Sequence, residues 1–112
     1  MEQSTPNIEA ALTWAQYQST LNQQRQVLKE RFESDSVVAY NGGLFKITQS
    51  WLGGFDFDAE WALDSNGLPI KVLDSKGFYQ MARDAYIQAL KTYGEAYEQL
   101  RRQRKVRGLT EL

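Results

Sequence analysis

The chain has no cysteine and no histidine. Without cysteine there is no disulfide, no thiolate nucleophile and no Cys-ligated zinc. Without histidine, His-based triads, His metal sites and the usual general base near pH 7 are lost as well. An enzyme built on carboxylates, Lys or Tyr remains conceivable, but the expectation is a protein that is not an enzyme and has no metal or cofactor. No apolar run approaches the ~18–20 residues of a membrane span. The opening MEQSTPNIEA is neither basic nor apolar, unlike a secretory signal. The expected location is the cytoplasm, away from membranes.

What is present suits one small domain spanning 1–112. An apolar fraction of 42% and a charged fraction of 24% indicate a folded chain with a modest core. The net charge is only −1, yet residues 101–107 carry five positive charges, which leaves the remainder at −6.

Two long helical patterns flank a β-rich middle. The first starts at STPNIEAAL, with Thr5 as N-cap and Pro6 at the first helical position. Ile8, Leu12, Trp14, Tyr17, Leu21, Leu28 and Phe32 recur mostly three or four apart, and the pattern ends near residues 33–36. VVAYNGGLFKIT then reads as a hairpin around Asn41-Gly42, because a type I′ turn needs positive φ at both positions. QSWLGG reads as an irregular link. FDFDAEWALD alternates: Phe55, Phe57, Ala59, Trp61 and Leu63 point one way, Asp56, Asp58, Glu60 and Asp64 mostly the other. That is the period of a half-buried strand. SNG turns the chain, and LPIKVL returns as a strand with Pro69 at its start or on an edge.

The second helix is expected from Asp74 or Ser75 to about Val106, with Gly108 as its stop. Tyr79, Tyr86, Tyr93 and Leu100 repeat every seven residues, and Ala82, Ala89 and Ala96 do the same three residues later. This is a heptad with large residues at one seam position and Ala at the other. Helices of this length exceed what a small sheet covers, so two partners are expected for the seam: the first helix, antiparallel, and copies of the chain. The fold class is therefore α+β: a long N-terminal helix, a three- to four-stranded antiparallel meander and a long C-terminal heptad helix.

Three clusters are candidate surfaces. Arg101, Arg102, Arg104, Lys105 and Arg107 form a basic helix end. It reads either as cations complementing the helix dipole or as a site for an acidic protein surface or nucleic acid. No aromatic residues are interleaved with the cations, as single-stranded nucleic acid would favour. Asp56, Asp58, Glu60 and Asp64 form an acidic patch, too widely spaced on one strand to hold a metal. A neighbouring copy's basic end is one candidate to meet it. Trp14 and Trp61 fall in apolar stripes and are expected in the core. Trp51 beside LGG is a possible exposed anchor.

The segment LDSNGLPIKVLDSKGFYQMARDAYIQALKTYGEAYEQLRRQRKVRGL resembles the ends of small proteins of tailed bacteriophages, especially those infecting cyanobacteria. Its Asn-Gly hairpin, Tyr- and Ala-containing helix and basic finish carry the likeness. The resemblance implies a viral accessory, assembly or virion role, in the host cytoplasm or the particle, and assigns no site residues. The helix, hairpins, helix order is also similar to the plan of a prefoldin subunit, although here the middle is longer and the helix tip basic. The combined expectation is a homo-oligomeric protein–protein interaction module, with anion or nucleic-acid binding as the alternative.

Overall fold

The computed structural model describes residues 4–111, with side chains for residues 10–103. The element order is α1 (Ser4–Asp35), β1 (Val37–Tyr40), β2 (Gly43–Lys46), α2 (Gln49–Gly53), β3 (Trp61–Leu63), β4 (Pro69–Lys71) and α3 (Ser75–Glu111). The fold is α+β, with four short antiparallel strands between two long helices. The strands divide into two separate hairpins, β1-β2 and β3-β4, and do not form one continuous sheet. Among the described residues no helix is long and apolar enough to cross a membrane.

The molecule is a rod of 72 × 25 × 20 Å. Two antiparallel helices, about 48 and 56 Å long at 1.5 Å per residue, set its length. α1 includes Thr5 and Pro6 and starts at Ser4, one residue before the expected cap. Its end at Asp35 falls where the pattern runs out. Ser36 then anchors the chain: its Oγ donates to the Phe32 carbonyl at 2.8 Å, and its own carbonyl accepts from the Ile47 N–H at 3.0 Å. α3 continues through Gly108 to Glu111. A glycine in a helix costs about 1 kcal/mol relative to Ala, so it permits a stop without imposing one.

The first hairpin forms as the sequence requires. Asn41 has φ 45° and Gly42 φ 85°, the two positive values of a type I′ turn. Val38 pairs with Phe45 and Tyr40 with Gly43, on the face turned to α3. There Phe45, Ile47, Val38, Phe78 and Ala82 form the buried core. Phe78 is its hub: its ring lies 4.0 Å from Tyr40, 4.9 Å from Phe45 and 5.4 Å from Trp51. Asp74 caps α3, with Oδ1 accepting from the Gly77 N–H at 3.1 Å. The Tyr40 hydroxyl accepts from the N–H groups of Leu73 and Asp74, tying the hairpin to the start of that helix.

Two middle segments differ from expectation. QSWLG is a short helix, not an irregular link. Thr48 caps it by accepting the Trp51 N–H at 3.0 Å. Residues 55–60 are not a strand. Asp56 Oδ1 accepts from the Asp58 N–H at 2.9 Å, and its carbonyl accepts from the Ala59 N–H at 3.3 Å. A local Asp turn of this kind competes directly with a ladder. The alternation of Phe55 and Phe57 serves a different purpose, laying both rings against Tyr79 at 5.4 and 5.0 Å.

Candidate interaction surfaces

The heptad seam of α3 is occupied within the chain. Ala82 and Ala89 are buried. Tyr86 meets Phe32 edge-on at 5.7 Å, and Tyr93 stacks on Phe32 at 5.0 Å. Ala96 and Leu100 border a groove with Leu28 and Val27 of α1, and Tyr79 lies under Phe55 and Phe57. Of the two partners expected for this seam, α1 therefore meets Tyr86 and Tyr93, the middle segment meets Tyr79, and Ala96 and Leu100 face the groove beside α1. On the α1 side Tyr17, Leu21, Leu28 and Phe32 line the contact, with half-buried Gln18 and Arg25 between them. Those polar positions interrupt α1's apolar row.

A second stripe runs along the outside of α3. Arg83, Ile87, Leu90, Gly94, Tyr97 and Arg101 succeed one another at alternating spacings of four and three, so they share one face. All six are exposed, and Ile87, Leu90 and Tyr97 are 37–46% accessible. A Cβ built on Gly94 would meet nothing within 4 Å. The stripe is thus apolar, has a gap at its centre and is bounded by an arginine at each end. Its Ile87 directly follows Tyr86, which lines a 510 Å³ cleft between the end of α1 and β2. Phe32, Val37 and Ile47 also line that cleft, together with Glu30, Glu33 and Lys46.

The tryptophans are placed opposite to expectation. Trp51, the proposed exposed anchor, is half-buried against Phe55 at 5.2 Å and Phe78, because the Thr48-capped turn swings it inward. Trp14 and Trp61, expected in the core, are 58% and 56% exposed. Trp61 stands outside because the turn at Asp56 resets the alternation. In β3 it is Ala62, paired with Ile70, that faces the core. The Lys71 ammonium lies 5.9 Å from the Trp61 ring centroid, a cation–π contact.

The acidic patch loses Asp64. The same change of phase turns Asp64 inward and buries it. Its carboxylate accepts from the N–H groups of Leu68 at 2.8 Å, Asn66 at 2.9 Å and Leu44 at 3.3 Å. These bonds, Leu68's foremost, hold its carboxyl below the usual aspartate value, against the opposing effect of burial. Asp64 is a structural clamp that ties the second hairpin's turn to the edge of β2. Asp56, Asp58 and Glu60 remain exposed at that end of the rod.

The basic window lies toward the other end. Along α3, Phe78 and Arg101 are about 35 Å apart at 1.5 Å per residue, so the acidic and basic ends do not meet within one chain. Arg101 and Arg102 are exposed, and Arg101 pairs with Glu98 at 3.5 Å. The side chains of Arg104, Lys105 and Arg107 lie outside the described residues. Among the described residues no three acidic groups gather as a metal site.

The outer stripe is recorded in the spacing of Ile87, Leu90 and Tyr97, beside the stronger Tyr/Ala repeat. No protein-family model matches this chain, and neither a curated protein nor a solved structure is similar to it.

Proposed function

We propose that this protein is a non-enzymatic assembly module that associates with copies of itself through the outer face of α3. The observation that carries this reading is the stripe Ile87, Leu90, Gly94 and Tyr97, a second apolar row left over after α1 has taken the first. Three large apolar side chains in line on a rigid helix are what a helix–helix contact uses, and a central glycine lets the backbones approach closely. The rod shape exposes this face along its length. The likeness to tailed-phage accessory proteins fits an assembly role, and a viral origin belongs to the same proposal.

Light scattering after size exclusion at micromolar concentration tests it. The expected mass is a multiple of 12.9 kDa for the wild type. Ile87→Lys/Leu90→Lys is expected to reduce it to the monomer with helicity and melting preserved, because both residues lie on the exposed side. A stable wild-type monomer overturns the reading. So does an oligomer that the double substitution leaves intact.

A further inference from the structure

We propose that the free edge of β3 is a docking site for an extended, basic–apolar segment of another protein, which adds to the second hairpin as a third strand. The ladder's phase establishes which groups are free. Asp64 donates to the Leu68 carbonyl at 2.9 Å and Val72 to the Glu60 carbonyl at 2.8 Å. With the register Ala62↔Ile70, these bonds make Ala62 the strand residue bonded to β4. The N–H and C=O groups of Trp61 and Leu63 therefore point away from β4; β2 reaches that side just beyond the strand, where the Ser65 N–H donates to the Leu44 carbonyl, but among the described residues no strand pairs with Trp61 or Leu63.

The neighbouring edges of β2 and β4 are partly occupied. The outward N–H of Leu44 in β2 donates to Asp64 Oδ2, and its carbonyl accepts from the Ser65 N–H at 2.8 Å. On the far edge of β4, Pro69 has no N–H, and the Lys71 carbonyl accepts from Asn41 Nδ2 at 3.0 Å. An open edge is ordinarily blunted by lysine, proline or a bulge. The edge of β3 instead carries Trp61 and Leu63, the latter 70% exposed, beside a 280 Å³ groove that Trp51, Phe55 and Ala59 help to line.

Charge selects the occupant. Asp56, Asp58 and Glu60 lead into the strand and are all exposed. A second copy pairing β3 with β3 in parallel would bring the same three acids together, and in antiparallel it would set them against residues 64–68, which carry no cation, so neither arrangement neutralises them. A neighbouring copy's arginine-bearing helix end has its backbone hydrogen bonds satisfied and offers no strand. A segment alternating Lys or Arg with apolar residues satisfies both requirements: its main chain bonds Trp61 and Leu63, its apolar side chains cover theirs, and its cations meet the acids.

The inference is independent of self-association through α3, and its test reads binding instead of mass. A fluorescein-labelled, terminally blocked Lys-Val-Lys-Val-Lys-Val peptide is titrated by fluorescence polarisation at low and high salt. Saturable binding that weakens with salt is expected, with no binding of the Glu-Val counterpart. Leu63→Pro removes one outward N–H without touching the ladder to β4, and should lower affinity at least tenfold. Leu63→Thr keeps that N–H and should retain binding. Should the proline variant fail to fold, Asp58→Lys/Glu60→Lys decides, since it should exchange the preference to the Glu-Val peptide. Absence of binding, binding indifferent to peptide charge, or an unchanged preference in the charge-reversed variant overturns the proposal. Full binding by a folded Leu63→Pro protein does so as well. A drop in mass caused by Leu63→Pro would assign the edge to a second copy and overturn it too.

Discussion

Phe78→Ala is the substitution that should separate the rod's folded end from its helices. Phe78 is 1% exposed and sits where α3 meets both hairpin 1 and α2. Four rings surround it within 5.8 Å: Tyr40, Phe45, Trp51 and Phe55. Truncating a buried Phe costs about 3–5 kcal/mol, because a cavity adds to the lost transfer energy. The ring's neighbours are held from separate elements and cannot all collapse inward, so the upper half of that range applies. Against a total stability of roughly 5–15 kcal/mol this is a large share. With a urea slope of about 1–3 kcal/mol/M, the unfolding midpoint should fall by about 2 M. Near-UV circular dichroism reports the aromatic core directly, and the far-UV signal reports the helices. Phe57→Ala is the control. Phe57 also touches two rings, Phe55 and Tyr79, but it is 47% exposed, so its loss should cost less than about 1 kcal/mol. A Phe78→Ala midpoint within 0.5 M of the wild type, or a penalty no larger than that of Phe57→Ala, would refute the assignment of Phe78 as hub.

Two further predictions concern the clamp and the glycines. The Asp64 carboxyl is held below its ordinary value of 3.8, so its stabilising effect is complete above that value and is lost as pH falls through the lower folded value. Asp64→Asn should lower the melting temperature at pH 7 and flatten its decline below about pH 4; an acid profile parallel to the wild type's would contradict the clamp. Gly43→Ala places a Cβ 2.5 Å from Ile70 Cγ1 and should cost about 1–3 kcal/mol. Gly94→Ala meets nothing and should stabilise the isolated helix pair by up to about 1 kcal/mol. Chemical denaturation of both variants checks the opposite signs.

Local chemistry made much of the architecture legible. Asn41-Gly42 can hardly be anything but a tight hairpin turn, since few other residue pairs accept two positive φ values. Asp74 and the Tyr/Ala heptad marked the start and the buried face of α3 through spacing alone. The site was less legible. Asp56, Asp58, Glu60 and Asp64 look equivalent in an alternating segment, yet the first three are exposed and the fourth is clamped in the interior. The difference follows the local turn at Asp56: the strand begins only after it, and from Trp61 onward the faces are exchanged. No period-two pattern records that reset.

The tryptophans make the same point from the side of packing. Trp14 and Trp61 sit in apolar rows, and Trp51 stands beside the sequence Leu52-Gly53-Gly54. Composition alone assigns the first two to the core and the third to the surface. The fold does the reverse, because what buries a side chain is a neighbour brought from elsewhere in the chain, as Phe78 and Phe45 are brought to Trp51.

The sequence by itself determined the helices, the turn at Asn41-Gly42, the buried Tyr/Ala row and the separation of acidic from basic residues, since each rests on short-range spacing or on backbone limits of individual residues. Tertiary structure alone decided which partner the seam takes, where the alternation slips, and which apolar row and strand edge are left uncovered. Those depend on distant segments meeting: α1 reaches Tyr86 and Tyr93 first, and what it leaves exposed on α3 becomes the surface available to other molecules.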